Sequence, residues 1–490
     1  MSAPFDLCNV QGDILTGLPK KVETYWFIQI KDCEVDDFRQ RLSHIVPLIT
    51  SCAQTDVDRS KCAQHKKKGE LLTLSGVNIA FSKKGLCKIG ITEPLSNDIE
   101  SETQVHKDPF EHGMRETASK LNDRTEGDSN TWFPEFKQDI HCLVFITGDC
   151  QHSVDHTFAS IKHIFGHTIT EIKTVTGTVR PGDQEAHEHF GYLDGVSQPA
   201  IKGVHDDPLP GGKGQKEPLD QGVILLKRDG DEQKESRPDW TLDGSFLAFR
   251  YLSQLVPEFQ DFIDSNNPCG AEDDFLGAQL VGRWKSGAPI VLAPHSDNPK
   301  LGKDRDANNN FDYDIHSQKI CPFVAHTRKT NPRADLDGPT KNRILRRGIT
   351  FGPEVTKEEK KNKCTDPAND RGLLFKCYQS NIKNGFEFIQ NSWANNPTFP
   401  FLKFNPGPPT SVDPKPGFGN GEGEGPGFDP IIGQAVDGGE RLIDIKGGNG
   451  HRGKIGLPTE WVISKGGEYF FSPSISTLRD VFAVRGHGDL

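Results

Sequence analysis

The sequence lacks the features that would place it on nucleic acid or in a membrane. Its 58 lysines and arginines are outnumbered by 69 aspartates and glutamates, giving a formal net charge of -11. Nucleic-acid binding needs a basic face, so this balance argues against such a partner. No apolar run approaches the ~20 residues of a membrane helix. At 490 residues with 34% hydrophobic content, the chain predicts a soluble globular protein with a large core and room for two or three domains.

Signs of secretion are also few. The first residues, MSAPFDLCNVQGDIL, contain no charged segment followed by an apolar core, unlike a signal peptide. None of the 11 cysteines forms a Cys-x-x-Cys pair, which disfavours a zinc ribbon or a redox dithiol. Asn396-Pro397-Thr398 is excluded as a glycosylation acceptor by its proline, and no other acceptor site is present. Together these absences predict an intracellular protein; the alternative is a secreted chain whose leader has been removed.

Two runs in the second half of the chain carry the chemistry around which the rest is organised. The run CPFVAHTRKTNPR, residues 321–333, predicts a short apolar strand that ends at His326 and is followed by cations and a turn. The run RILRRGITFG, residues 343–352, predicts a strand with Arg346 and Arg347 before Gly348. Neighbouring strands would bring an imidazole and a guanidinium into one apolar, water-poor place. Such a place suits a metal or an anionic intermediate, although neither run alone decides this.

A third run, HFGYLDGVSQPAIKG, places Asp194 between Gly191 and Gly195, where backbone can approach a ligand closely. Together, GYLDG, PFVAH and ILRRG resemble the dye-decolorizing peroxidases, a family of heme b enzymes, and the likeness is greatest to the longer fungal members. The likeness covers nearly the whole chain and includes four further landmarks: NVQGDILTGLPKK at 9–21, RGLLFKCYQSNI at 371–382, FDPIIGQ at 428–434 and GGEYFFSPSIS at 466–476.

Independently of that resemblance, the order of predicted elements repeats. The first part reads strand, helix, two strands, helix, strand, which is the ferredoxin-like plan. The same order follows a polar Gly/Pro-rich spacer. We therefore predict an α+β fold of two ferredoxin-like domains, each an antiparallel sheet with helices, and a ligand cleft between sheet and helices. The resemblance implies that heme occupies this cleft. The predicted domains are 1–205 and 239–490, with the spacer at 206–238. Residues 405–430 are so rich in Gly and Pro that they predict a surface loop, whose end at Asp429 returns to the cofactor.

The resemblance implies a role for each central residue. His326 would be the axial ligand of the heme iron, and Asp429 the acceptor of its other ring N–H. On the open face, Asp194 would act as general base and then acid on hydrogen peroxide. Arg346 would stabilise the charge that develops as the O–O bond breaks. The implied activity is reduction of hydrogen peroxide coupled to one-electron oxidation of bulky aromatic donors such as dyes and phenolics, with best activity at acid pH.

Other positions are carried over from the same runs. Leu373 and Phe375 would restrict access above the iron, although plain strand packing explains them as well. Arg328 could pair with a heme propionate, because a guanidinium fork matches a carboxylate; a solvated Arg is the alternative. Arg347 is interpreted as structural. Family members relay electrons from bulky dyes through surface Trp or Tyr, and this chain has six of each.

Two other classes of function remain open at this stage. A heme carrier or storage protein would need His326 but not Asp194 and Arg346 together. A non-heme metal hydrolase could use His187 and His189 with Asp194. Breakdown of chlorite or heme on a related fold rests on analogy alone. The oligomeric state and the physiological donor are not predicted.

Overall fold

The apolar runs of the sequence form eleven strands in the computed structural model, which describes residues 5–70, 72–96, 108–123, 131–205, 215, 217–336, 341–400, 425–445 and 454–484. The strands are β1 Val22–Ile30, β2 Ser75–Phe81, β3 Cys142–Gly148, β4 Ile169–Thr178, β5 Ser245–Gln254, β6 Leu345–Arg346, β7 Ile349–Phe351, β8 Gly372–Gln379, β9 Arg441–Asp444, β10 Lys454–Leu457 and β11 Val462–Ser472. The α-helices are α1 Val35–Ile45, α2 Cys52–Lys68, α3 Lys83–Lys88, α4 Pro109–His112, α5 Met114–Thr117, α6 Gln151–Phe165, α7 Val256–Asn266, α8 Phe275–Val281, α9 Pro299–Lys303, α10 His326–Thr330, α11 Lys357–Asn362, α12 Phe386–Phe388 and α13 Ile475–Thr477.

Both halves of the chain have the ferredoxin-like order. In the first half, β4-β1-β3-β2 pair antiparallel, and α1 and α6 connect them. Helix α1 buries Phe38, Leu42 and Ile45, whose helical spacing places them on one face. In the second half the order is β11-β5-β8-β6, with β7 also paired to β8, and α7 follows β5. The predicted α+β class with antiparallel sheets and helices is therefore confirmed.

The two halves share one sheet. Strand β11 pairs with β2 at Phe471 and Phe81, which makes a nine-stranded sheet of the two four-strand units and β7. At the other end β7 lies against β4, where the Thr350 hydroxyl donates to the Thr178 carbonyl at 2.7 Å. A Cβ on Gly177 would lie 2.4 Å from a methyl of Ile349, so only glycine permits this approach. The two ends of the sheet, at β4 and β7, thus lie against each other.

An ion cluster lies inside this sheet. The Lys376 ammonium is 2.6 Å from both Asp13 and Glu23, and the side chains of all three are 0% exposed. Burial raises the pKa of Asp13, but Lys376 and Lys20 outweigh it and lower that pKa to about 2. The cluster binds the N-terminal arm, through Asp13, to strands β1 and β8.

Replacement of Lys376 by Met tests this cluster. We expect the free energy of unfolding to fall by about 3–5 kcal/mol, because two buried carboxylates lose their shared cation. Urea unfolding of the two proteins measures the difference. Lys173→Met is the control: Lys173 pairs with Glu135 in a partly exposed bridge, and its loss costs about 1 kcal/mol or less. Equal effects of the two substitutions would contradict the assignment.

Among the described helices, none combines the length and the apolar character needed to cross a membrane.

Candidate active site

A cavity of about 280 Å³ opens beside the second half of the sheet and collects the residues singled out in the sequence. Asp194, His326, Arg346, Leu373 and Phe375 all line it. Further lining residues come from the turn after the GYLDG run, from β5, from the residue before β6 and from the helical stretch after β8: Ser197, Gln198, Leu252, Gln254, Ile344, Phe386, Ile389 and Gln390.

His326 begins a helix and does not end a strand, so the prediction of a strand at residues 322–325 is wrong. The backbone turns at Pro322, whose carbonyl accepts from the Ala325 N–H at 3.1 Å. Helix α10 then starts at His326. The local reason is that Pro322 favours a turn and has no N–H to donate to a neighbouring strand.

Asp429 fixes the orientation of the imidazole. Its carboxylate lies 2.9 Å from His326 Nδ1 and is 0% exposed. The N–H groups of Ile431 and Ile432 donate to the other carboxylate oxygen at 2.8 and 3.0 Å. Burial raises the pKa of Asp429, but His326 and these backbone donors lower it overall. An ionised Asp429 therefore accepts from Nδ1–H, which leaves Nε2 as the free ring nitrogen.

Asp429 follows the Gly/Pro-rich run closely in sequence. The predicted loop at 405–430 lies mostly outside the described residues, which resume at 425.

Asp194 and Arg346 form an ion pair at the cavity, with 2.8 Å between Oδ1 and the guanidinium. Asp194 sits in a loop that needs glycine on both sides, since Gly191 and Gly195 have φ of +97° and +74°. Arg346 is the last residue of β6, and its other guanidinium arm donates to the Ser197 carbonyl at 3.1 Å. Burial works to raise the pKa of Asp194, but Arg346 and the Gly195 N–H hold it below its ordinary value.

The imidazole and this ion pair share one electrostatic environment. Burial lowers the pKa of His326, Asp429 raises it, and Arg346 and Asp194 act on it with opposite signs, for a net upward shift. The sequence prediction that His326 and Arg346 lie together therefore agrees with the structure, although only Arg346 lies on a strand.

Leu373 and Phe375 face the cavity because strand residues alternate. Between them, Leu374 is fully buried and packs in the core of the sheet. Both cavity residues are partly exposed there, as expected of side chains that line an opening.

Arg328 lies away from the cavity, so its predicted place beside a propionate does not agree with the structure. Arg328 is 2% exposed, and its Nε and Nη2 donate to the two Asp335 carboxylate oxygens at 2.6 and 2.8 Å. Its remaining donors bind the carbonyls of Asp314, Ser317 and Cys321. Helix α10 turns this side chain inward, whereas a strand would have placed it on the same face as His326.

Four arginines that the sequence analysis did not single out also line the cavity: Arg250, which pairs with Asp123, and a group of three, Arg283, Arg333 and Arg343. Arg283 and Arg333 both donate to the same Asn309 side-chain oxygen. Burial lowers the pKa of Arg283 and that of Arg343, each to about 10. Within the described residues none of the three forms an ion pair with a carboxylate. Arg283 and Arg333 are buried and Arg343 is partly buried, and cations so placed without acidic partners favour an anionic ligand. No local pattern marks them, because an Arg beside a turn predicts solvent exposure.

The His187 and His189 pair does not gather metal ligands. His189 is buried, with Nε2 2.7 Å from the Phe351 carbonyl, while His187 Nδ1 lies 3.1 Å from the Glu185 carbonyl. In the part of the chain that the structure describes, the only group of three His, Cys, Asp or Glu side chains close enough to hold an ion is Glu34, Asp37 and His167, near the start of α1. The hydrolase alternative therefore lacks its ligand set.

The cavity beside the antiparallel sheet thus brings an Asp-bound imidazole together with an Asp–Arg pair, an arrangement suited to binding a metal and to moving protons. Residues 9–181 match the family model described as "DyP dimeric alpha+beta barrel domain", and residues 293–404 match "Dyp-type peroxidase, C-terminal". The chain belongs to the dye-decolorizing peroxidases, a family of heme-dependent enzymes.

Relatives cover nearly all of the chain. The dye-decolorizing peroxidase of Mycena epipterygia is 38% identical over 98% of this chain and 87% of its own length. That of Auricularia auricula-judae is 38% identical over 96% and 86%. A mutant of the dye-decolorizing peroxidase from Pleurotus ostreatus superposes with a TM-score of 0.87 at 44% identity, covering 98% of this chain and 100% of that one.

Proposed function

We propose that the chain is a heme b peroxidase that reduces hydrogen peroxide and oxidises aromatic donors in one-electron steps. The observation that carries this proposal is the meeting, at one cavity, of the His326–Asp429 pair and the Asp194–Arg346 pair. When bound, heme supplies the redox-active iron at which peroxide is reduced.

The residues present fit such a group. His326 lines the cavity with Nδ1 engaged by Asp429, so Nε2 is available as an axial ligand. Donation to an ionised carboxylate makes the imidazole a stronger base toward a metal. Heme b carries two propionates, and the cavity offers Arg283, Arg333 and Arg343 without acidic partners among the described residues. We assign the propionates to these three arginines and not to Arg328, the residue predicted from the sequence.

Asp194 and Arg346 would act on the peroxide. The Asp194 carboxylate would accept a proton from hydrogen peroxide and return it to the departing oxygen. Arg346 keeps that carboxylate ionised in acid and offers N–H donors to the charge that develops during O–O cleavage. Leu373 and Phe375 present an apolar wall that limits water around the reacting atoms.

The absorption spectrum of the purified protein, before and after one equivalent of peroxide, tests the proposal. A Soret band that changes rapidly on peroxide addition is expected. A Soret band that peroxide leaves unchanged would favour the alternative of a heme carrier. A protein that takes up no heme would overturn both.

Paired substitutions separate the two arginine assignments. We expect Arg333→Met to weaken heme binding about 10- to 100-fold, because a charged hydrogen bond contributes about 1.5–3 kcal/mol. Arg328→Met should instead lower the free energy of unfolding, by about 3–5 kcal/mol, since it leaves Asp335 buried without its partner. Heme titration of the apoprotein and urea unfolding measure the two effects. Weaker heme binding in Arg328→Met alone would reverse the assignment.

The tyrosines and tryptophans that could relay electrons from the surface are mostly buried. All six tyrosines are 7% exposed or less, and Trp240 is the only tryptophan that is not buried. The proposed donors therefore include small phenols that enter the cavity.

An intracellular location is also a proposal, and it is based on the sequence features alone.

A further inference from the structure

Lys329 is a buried cation that the proposed chemistry does not use. It lies on α10, three residues after His326, and is 0% exposed. Burial lowers the pKa of its ammonium to about 7, and only Asp429 acts in the opposite direction. Because burying a cation is unfavourable, we expect Lys329 to have a structural or functional role.

The ammonium is held by three backbone carbonyls. Those of Asn396 and Phe399 lie 2.8 and 3.1 Å from Nζ, and the Gly427 carbonyl also accepts from it. These carbonyls come from two backbone segments that lie side by side, one before residue 401 and one after residue 424. Lys329 thus ties both of them to the helix that carries His326.

The same two backbone segments are joined to each other next to Asp429. The Gly427 N–H donates to the Pro397 carbonyl at 2.8 Å, and the Asp429 N–H donates to the Ala394 carbonyl at 2.9 Å. Asp429 therefore reaches His326 from a segment whose position is set two residues earlier, at the Gly427 carbonyl held by Lys329. His326 and Lys329 are one turn apart on α10. The same helical turn therefore contacts the Asp429 carboxylate through His326 and the Gly427 carbonyl through Lys329.

We infer that Lys329 is a positioning residue for the axial ligand: it holds the Gly427–Asp429 backbone in the register that presents the Asp429 carboxylate to His326 Nδ1. This inference rests on the proposed function, because it concerns the donor strength of His326 toward heme iron. It goes further in assigning that property to a side chain that need not touch the heme.

Lys329→Met, which keeps the length of the side chain but removes its donors, tests the inference in the heme-loaded enzyme. The iron–imidazole stretching frequency of the ferrous protein, read by resonance Raman, should fall, since His326 loses its oriented anionic partner. Hydrogen exchange in a peptide covering residues 425–434 should speed up about 10- to 100-fold, as expected when a charged hydrogen bond is lost.

Lys227→Met is the matched control, because Lys227 also donates to a backbone carbonyl, that of Arg237, and to Asp239, away from the cavity. It should change neither readout. A Lys329→Met enzyme with wild-type stretching frequency and exchange would overturn the inference. If Lys329→Met does not fold, Lys329→Gln takes its place: it has two neutral N–H donors for three carbonyls, so both readouts should change in the same directions by a smaller amount, and two unchanged readouts would overturn the inference. Wild-type protein without a Soret band would instead refute the proposed function, so the two failures are distinguishable.

Discussion

Replacing Asp194 with Asn is expected to lower the rate of reaction with hydrogen peroxide about 10²–10⁴-fold, the range that a positioned proton shuttle contributes. Asn keeps the shape of the side chain and can still face Arg346, but it cannot accept the peroxide proton. Stopped-flow mixing of the heme-loaded protein with peroxide measures the rate. Asp370→Asn is the control, because that carboxylate accepts from Tyr251 outside the cavity and its loss should leave the rate unchanged.

The pH dependence of the same rate follows from the charge on Asp194. As a base the carboxylate must be ionised, and Arg346 lowers its pKa despite the opposing effect of burial. The reaction should therefore persist above this lowered pKa and be lost as pH falls through it, at a pH below the ordinary Asp value of about 3.9. The lowered pKa therefore lets the activity extend well into the acid range. Dye oxidation that peaked at neutral pH and survived Asp194→Asn would contradict this assignment.

Replacing His326 with Ala is expected to have the second large effect, loss of the heme itself. The imidazole is the only side chain proposed to bind the iron directly, and Asp429 would be left as a buried carboxylate without its partner. The pyridine hemochrome assay of purified protein measures heme content, which should fall to a small fraction of the wild-type value.

Asp429→Asn provides the comparison for this substitution. It retains the imidazole and replaces the anionic acceptor with a neutral amide, so heme should stay bound. Full heme content in His326→Ala would show that another group binds the iron.

The α+β class and its repeated strand and helix order were predictable from the sequence. Local sequence patterns predict these elements. Runs of apolar and β-branched residues indicate the strands, and helical spacing of Phe38, Leu42 and Ile45 indicates α1. The repeat of this order predicted two ferredoxin-like units. The continuity of their sheets was not predictable, because it depends on one pairing between Phe81 and Phe471, 390 positions apart and unrelated in local pattern.

The site was predictable where a short motif carries its own geometry. The glycines around Asp194 and the end of β6 at Arg346 are such cases. Around His326 the prediction failed, since five residues of helix give no period to detect, and the error placed Arg328 in the cavity. Arg333 and Lys329 were missed because cations beside a turn usually face solvent. In the structure, segments distant in the chain surround these two side chains and bury them.

The central claim is that Asp194 and Arg346 act as one unit on peroxide held at the iron that His326 binds. A double-mutant cycle of the peroxide rate, using Asp194→Asn, Arg346→Leu and both together, tests it most directly. The Arg346 substitution alone should cost about 10²–10³-fold, and the double variant should lose much less than the product of the two single losses. Losses that multiply fully, or a single variant that reacts at the wild-type rate, would contradict the claim.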